Sequence, residues 1–257
     1  MCIRDSLHSM NSLFIFNSDL RLRNNPALSN ASLKGSSLTT LFIFNPKKWN
    51  NHNESNLKIA FQIEHLKELS EKLKNLNIPL KLINADGIED ESKKIIDFVR
   101  KNEIQEVFIN KEYGVNEMQR DETLQKDLER MNKKLNIFDS SIFHPDSIKT
   151  QSDTFFKVFT PFSRAFRSKL MSKKIEVSEL PKRQEHAISI SDKIESFKLD
   201  KNDQEIFNQY EIGEEKALEK LENFIDHKIL NYKKNRDFPA LDGTSALSPY
   251  LSSGILS

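Results

Sequence analysis

From Leu13 to about Asp139, short apolar runs alternate with segments of helical periodicity, and few folds admit that rhythm. Leu13–Phe16, Leu38–Phe44, Leu80–Ile83, Glu106–Ile109 and Asn136–Phe138 read as strands, most of them too apolar to keep one face in water. Between them Ile59, Ile63, Leu66, Leu69, Leu73 and Leu76 recur at steps of three and four, one side of a helix. Met118, Leu124, Leu128 and Met131 sketch a second helix, and Ile95, Ile96 and Val99 a third. Strand–helix alternation at this spacing implies right-handed crossovers. The expected fold is α/β, a Rossmann-like parallel sheet with helices on both faces. No Gly-x-Gly-x-x-Gly occurs, and the chain has only 6 glycines, so this sheet carries no dinucleotide fingerprint. Fold alone licenses no cofactor.

From about Leu180 to Gln204 the periodicity dissolves into Pro181, Lys182, Arg183 and a run of Ser, Asp and Lys, which reads as a surface linker. A helical stripe follows at Ala217, Leu218, Leu221, Phe224, Ile225 and Ile229. Residues 1–9 do not fit what comes after, whereas Met10-Asn11-Ser12 stands naturally before the first strand. The expected division is a non-native or disordered leader at 1–9, the α/β domain at 10–140, a connecting segment and linker at 141–204, and a helical segment at 205–257.

Composition sets bounds. Lys and Arg number 39 against 38 acids, a net charge of +1, so any nucleic-acid contact needs a local patch. The only cysteine, Cys2, rules out an internal disulfide and fits a reducing compartment. No apolar run approaches the ~20 residues of a membrane span, and no signal-peptide core is visible. A cytoplasmic monomer without membrane attachment is expected.

Near the end stands Asn235-Arg236-Asp237-Phe238-Pro239-Ala240-Leu241-Asp242-Gly243-Thr244-Ser245-Ala246-Leu247-Ser248-Pro249. Ser is a preferred N-cap and Pro is favoured at the first helical position, so a helix is expected to start at Ser248. Its unpaired N–H groups and the hydroxyls of Thr244, Ser245 and Ser248 would suit a phosphate. The plainer reading is a capped helix start and nothing more.

Five blocks carry a family resemblance. Tyr232, Arg236-Asp237-Phe238-Pro239-Ala240 and Gly243-Thr244-Ser245-x-Leu247-Ser248-Pro249-Tyr250-Leu251 closely resemble the flavin-phosphate segment of the photolyase and cryptochrome family. Lys157-Val158-Phe159-Thr160-Pro161-Phe162 resembles a second signature. Asp19-Leu20-Arg21-Leu22-Arg23-Asn24-Asn25-Pro26-Ala27-Leu28 is similar to the stretch after the family's first strand. Trp49-Asn50-Asn51-His52 and Tyr113-Gly114-Val115-Asn116-Glu117 with Arg120-Asp121 resemble blocks of the folate-type class I cyclobutane pyrimidine dimer photolyases.

The resemblance implies a light-driven DNA repair enzyme that uses electron transfer from reduced FAD, with a 5,10-methenyltetrahydrofolate antenna and pyrimidine-dimer-containing DNA as its partner. It implies FAD contacts at Tyr232, Thr244, Ser245, Leu247 and Ser248, folate contacts at His52, Asn116 and Glu117, and DNA contacts at Lys157 and Arg236. No catalytic or metal residue is assigned. Arg164, Arg167, Lys169, Lys173 and Lys174 extend a basic patch or are ordinary solvated charges. Phe159, Pro161 and Phe162 are expected in the core, Asp19 and Arg21 as an ion pair or cap at a strand end, and Trp49 as an apolar anchor. Ala246, Gly114 and Asn17 depart from residues usual in the family. The resemblance also implies that 205–257 are the first helices of an all-α FAD-binding domain; members of this type are nearly twice as long, so the chain is expected to be truncated within that domain and inactive alone. Two alternatives stay open: a cryptochrome-type blue-light receptor and a stand-alone antenna-binding module.

Overall fold

The computed structural model describes residues 11–34, 37–187 and 189–257. The expected leader at 1–9, with Cys2, lies outside them. All five expected strands form, as β1 Asn11–Phe16, β2 Ser37–Phe44, β3 Leu80–Asn84, β4 Ile104–Asn110 and β5 Lys134–Phe138. They pair in parallel in the order β3-β2-β1-β4-β5. Between strands lie α1 Pro26–Lys34, α2 Pro46–Asn51, α3 Asn56–Asn75, α4 Ile88–Lys101 and α5 Val115–Arg130.

The period of two along β1 sorts its side chains onto opposite faces. Phe14 and Phe16 join Ala27 and Leu28 of α1 and Phe61, Leu66 and Leu69 of α3. Leu13 and Ile15 meet Ile95 and Val99 of α4 and Leu124 and Leu128 of α5 on the other side. Both faces are therefore dry, which explains strands with almost no polar alternation.

The linker is more than a tether. The Leu80 and Leu82 N–H groups on the edge strand donate to Ser191 Oγ (3.1 Å) and Asp192 Oδ2 (2.9 Å), and Asp192 N returns a bond to Leu80 O (2.8 Å). Gln184 ties the linker to α1 and α3 through Ser32 O (3.1 Å) and Leu76 O (2.8 Å). Donors on an open sheet edge invite pairing with other chains, and this segment covers them.

After the sheet come α6 Phe159–Ser172, α7 Lys201–Phe207, α8 Glu214–His227, α9 Tyr232–Asn235 and α10 Ser248–Ser252. The expected stripe forms α8, but only its first part is covered. Ala217 is buried while Ile225, and Ile229 beyond the helix end, are 48 % and 47 % exposed. The expectation that Phe159 and Pro161 are core is wrong: α6 has no buried residue, and Phe159 is 75 % exposed because no described element packs over that face. Phe162 is half-buried, edge-on to Phe156 at 6.2 Å.

The C-terminal stretch enters the sheet's own core. Leu247, Tyr250, Ile255 and Leu256 join the cluster around Phe14 and Phe61. Tyr250 stands edge-on to Phe61 at 5.2 Å and donates its hydroxyl to Glu211 O (2.9 Å). The loop after β1 forms the joint. Glu214 accepts from Leu22 N (3.1 Å) and Arg23 N (2.9 Å), and Arg21 Nη1 donates to Gly254 O (2.9 Å). Gly254 has φ +66°, and a Cβ there would lie 1.9 Å from Ser18 O, so only glycine lets the backbones meet. Asp19 does serve as a strand-end cap, accepting from Asn17 N (2.7 Å) and Asn110 Nδ2 (2.6 Å), while Arg21 bonds carbonyl oxygens. Burial pushes the Asp19 carboxyl above its ordinary pKa, against the pull of those donors and Arg21.

Candidate functional site

In this strand order the crossovers leave β1 and β4 in opposite directions, so their C-terminal ends flank a topological switch point, where open α/β sheets bind ligands. A cleft of about 200 Å³ opens there. Asn17 and Ser18 after β1, Asn45 after β2 and Glu112 after β4 form its floor, with Lys48, Trp49 and His52 on one side and Glu91, Glu117 and Arg120 on another. Its size is below the ~300–1,000 Å³ of drug-sized sites, so it suits a ring head group whose remainder lies outside.

Local sequence sets each wall. Asn45 caps α2 by accepting from Lys48 N (3.0 Å), and Pro46 opens that helix. Asn45 is itself fixed by donating to Glu91 Oε1 (2.7 Å). Trp49 is held edge-on to Phe44, centroids 6.0 Å apart at 87°, and is an apolar anchor as expected. His52 sits at the C-cap of α2, its ring exposed on the cleft rim.

Behind these lies a buried ionic cluster. Arg120 donates to Asp121 Oδ1 (2.8 and 2.9 Å), Glu112 Oε2 (3.3 Å) and Asn17 Oδ1 (3.1 Å), with Glu91 Oε2 at 3.8 Å. Burial works against its charge, but Asp121, Glu112 and Glu91 outweigh that and hold its pKa above the ordinary value. A buried cation with several acceptors contributes rigidity more than net stability.

Glu117 stands in the first turn of α5, where a carboxylate is favoured by the helix dipole. Its Oε1 accepts from Lys48 Nζ at 2.7 Å. Burial alone would raise its pKa, but the bond and charge of Lys48 and its own backbone N–H hold it below the usual carboxylate range. Gly114 leaves room for this arrangement: a Cβ there would meet Glu117 Oε2 at 2.1 Å. Asn116 is half-buried next door and lies outside the cleft wall. Of the three expected folate contacts, the fold brings His52 and Glu117 to one cleft.

The Glu117 carboxylate, as an acceptor beside Trp49, suits an aminolactam ring edge. One carboxylate can accept two parallel N–H bonds, and an indole offers an adjacent apolar wall. Sequence reading missed Asn45, Lys48, Glu91 and Glu112. Arg120 and Asp121 stood within a recognised block, whereas Lys48 and Glu91 reach the cleft only because α2 and α4 start beside it.

The loop before α10 keeps the expected composition with one shift. Leu247 takes the N-cap position, with no side-chain cap bond, and Ser248 lies inside the helix. Leu247 is drawn in by burial, at 6 % exposure, and Ala246 makes the turn with φ +49°. Thr244 and Ser248 are exposed and Ser245 is half-buried. Gly243 presses on α9, where a Cβ would lie 2.5 Å from Asn235 Cβ. Tyr232 stacks edge-on to Phe224 at 5.7 Å, with Arg236 over its ring at 5.9 Å. A loop of neutral donors at a helix start suits a diphosphate. Ser252, at the far end of α10, reaches the switch-point cleft.

Lys157 is exposed, and Arg236 is half-exposed beside Asp237 at 3.5 Å. Lys169 and Lys173 donate to Ser147 O and Ile142 O (2.6 Å each) and cover the Phe143 ring. Those two are structural contacts.

The family model for DNA photolyase matches residues 12–183. A deoxyribodipyrimidine photo-lyase of Buchnera aphidicola is 34 % identical over 250 residues, covering 96 % of this chain and 51 % of that protein. The protein of that name from Escherichia coli K12 is 31 % identical, covering 94 % and 51 %. The chain thus spans about half the length of the curated relatives it matches. The crystal structure of a class III photolyase from Agrobacterium tumefaciens superposes with a TM-score of 0.81 at 27 % identity, over 100 % of this chain and 53 % of that one. With two thirds of its length inside the family match, and that match covering the five strands from Ser12 onward and the cleft apart from Ser252, the chain belongs to the DNA photolyase family.

Proposed function

We propose that this chain serves light-driven repair of cyclobutane pyrimidine dimers in DNA, as a deoxyribodipyrimidine photo-lyase of the folate-type class I kind, acting in the cytoplasm as a monomer. The observation that carries the reading is the meeting of Trp49, His52 and Glu117 in one cleft at the β1–β4 switch point. Residues 10–140 form the antenna domain in this reading, 141–204 the connection, and 205–257 the start of the flavin-binding domain.

Bound FAD would supply the electron for ring opening, and a 5,10-methenyltetrahydrofolate antenna the captured light. This chain's residues bind and orient. Glu117 would accept from the pterin's amino and lactam N–H groups, with His52 on the rim and Asn116 beside Glu117, and Trp49 would exclude water from the ring face. Thr244, Ser245 and Ser248 hold the flavin's diphosphate by neutral donors, Leu247 offers its backbone N–H, and Tyr232 borders the same loop. Lys157 and Arg236 contact DNA phosphates, which position the duplex without reading sequence. Extrusion of the dimer from the stack is required for access and costs least where damage has already weakened stacking.

The test is chromophore retention by the purified chain. Mixed with FAD and 5,10-methenyltetrahydrofolate and then desalted, it is expected to keep a stoichiometric folate band, and Glu117→Gln to lose it. A folate band unaffected by Glu117→Gln, or none at all, rejects the antenna site. Repair of a dimer-containing oligonucleotide under blue light, assayed with and without retained flavin, tests the enzymatic half.

A further inference from the structure

We propose that Lys48 sets the affinity of the switch-point cleft: its ammonium holds the Glu117 carboxylate, and a ligand with an aminolactam edge binds by displacing it. The inference rests on the antenna reading above. It concerns a residue that the family-resembling motifs do not include.

Three observations carry it. Glu117 is already engaged at one oxygen: Oε1 is taken by Lys48 Nζ at 2.7 Å, while Oε2 lies beside Gly114. A planar N–H pair that bonds both oxygens in parallel competes with Lys48 for Oε1. Next, the backbone of Lys48 is fixed while its side chain is free to move. The Asn45 cap and the Asn45–Glu91 bond pin the start of α2, yet the Lys48 side chain is 26 % exposed and can turn out to water. Finally, the neighbouring acids are committed elsewhere. Glu91 and Glu112 face Arg120, which is buried among fixed acceptors and cannot withdraw. Glu54 on the same cleft pairs with Lys58 across one helical turn, outside the β1–β4 floor.

The ion pair therefore satisfies the carboxylate while the cleft is empty, avoiding an unpaired half-buried charge. The same pair must be broken when a ring enters. That exchange lowers affinity by the strength of the Lys48–Glu117 bond and rejects ligands without two adjacent donors, which cannot replace an ammonium.

Titration of the full 257-residue chain with 5,10-methenyltetrahydrofolate, followed by absorbance, tests this in five forms. Lys48→Met is expected to bind about tenfold tighter than the unmodified chain, as loss of a competitor worth one charge-assisted hydrogen bond requires. Lys48→Arg is expected to bind more weakly, since a guanidinium can hold the carboxylate through two parallel bonds. Glu117→Gln is expected to bind more weakly, and Lys47→Met, one residue away and paired with Asp86, to be unchanged. Weaker or equal binding by Lys48→Met, with Glu117→Gln still impaired, overturns the competitor role and leaves the antenna reading standing. Binding unaffected by Glu117→Gln, or absent from every form, overturns both.

Discussion

His65 is 2 % exposed on α3, donates Nδ1–H to Phe61 O at 2.8 Å, and has no partner for Nε2 among the described residues. Phe61 and Tyr250 enclose the ring, with centroids 4.2 and 5.8 Å away. Burial drives its pKa from 6.5 down to about 4, against the smaller upward pull of the Phe61 carbonyl and Glu64. A histidine whose folded pKa is depressed stabilises the fold above its unfolded pKa. That contribution is lost as pH falls from about 6.5 through about 4. At 1.36 kcal/mol per pH unit the gap is worth about 3 kcal/mol. Urea unfolding at pH 7.5 and pH 4.5 should therefore show a larger acid-side loss in the wild-type chain than in His65→Leu. Equal losses in both would place the acid sensitivity elsewhere. Nothing in the sequence singles out His65, which stands outside the apolar stripe of α3, next to Leu66. Its pKa is set by burial, to which Phe61 of its own helix and Tyr250 of the C-terminal helix both contribute.

At the level of elements, the sheet was legible because strands dry on both faces leave continuous apolar runs, and every expected strand overlaps an observed one. The third expected helix was legible from three residues alone, since Ile95, Ile96 and Val99 all turn to one core face. What escaped was pairing between distant segments. The linker read as plain surface chain because its bonds to β3 come from Ser191, Asp192 and backbone groups, which carry no periodic signal. The apolar residues of α6 were misread for the opposite reason: apolar character says what a face would bury, and not whether a covering element exists.

The joint at the β1–α1 loop yields two expected outcomes. Gly254→Ala forces a Cβ into Ser18 O at a left-handed backbone position, and should cost about 2–4 kcal/mol in thermal unfolding. Glu214→Ala strands the buried Leu22 N–H and the part-buried Arg23 N–H, and should cost about 2 kcal/mol, with Glu214→Gln recovering part of it. If either alanine variant melts with the wild type, the C-terminal stretch is not docked as described.

For the whole molecule, the C-terminal helices share one core with the sheet, so the diphosphate-type loop and the switch-point cleft belong to one framework. The cleft was half legible. Its outer residues sat in recognisable blocks, while its floor was assembled by topology from Asn17 and Ser18, Asn45 and Glu112, which follow three different strands. Trp49 is the chain's only tryptophan and lines that cleft, which makes its emission a local reporter. The most direct measurement is quenching of Trp49 fluorescence by 5,10-methenyltetrahydrofolate in the wild-type chain and in Glu117→Gln. Saturable quenching at one ligand per chain, with the midpoint moved about tenfold or more by Glu117→Gln, is the predicted result. Quenching that never saturates, or a midpoint indifferent to Glu117, would contradict a chromophore seat between β1 and β4.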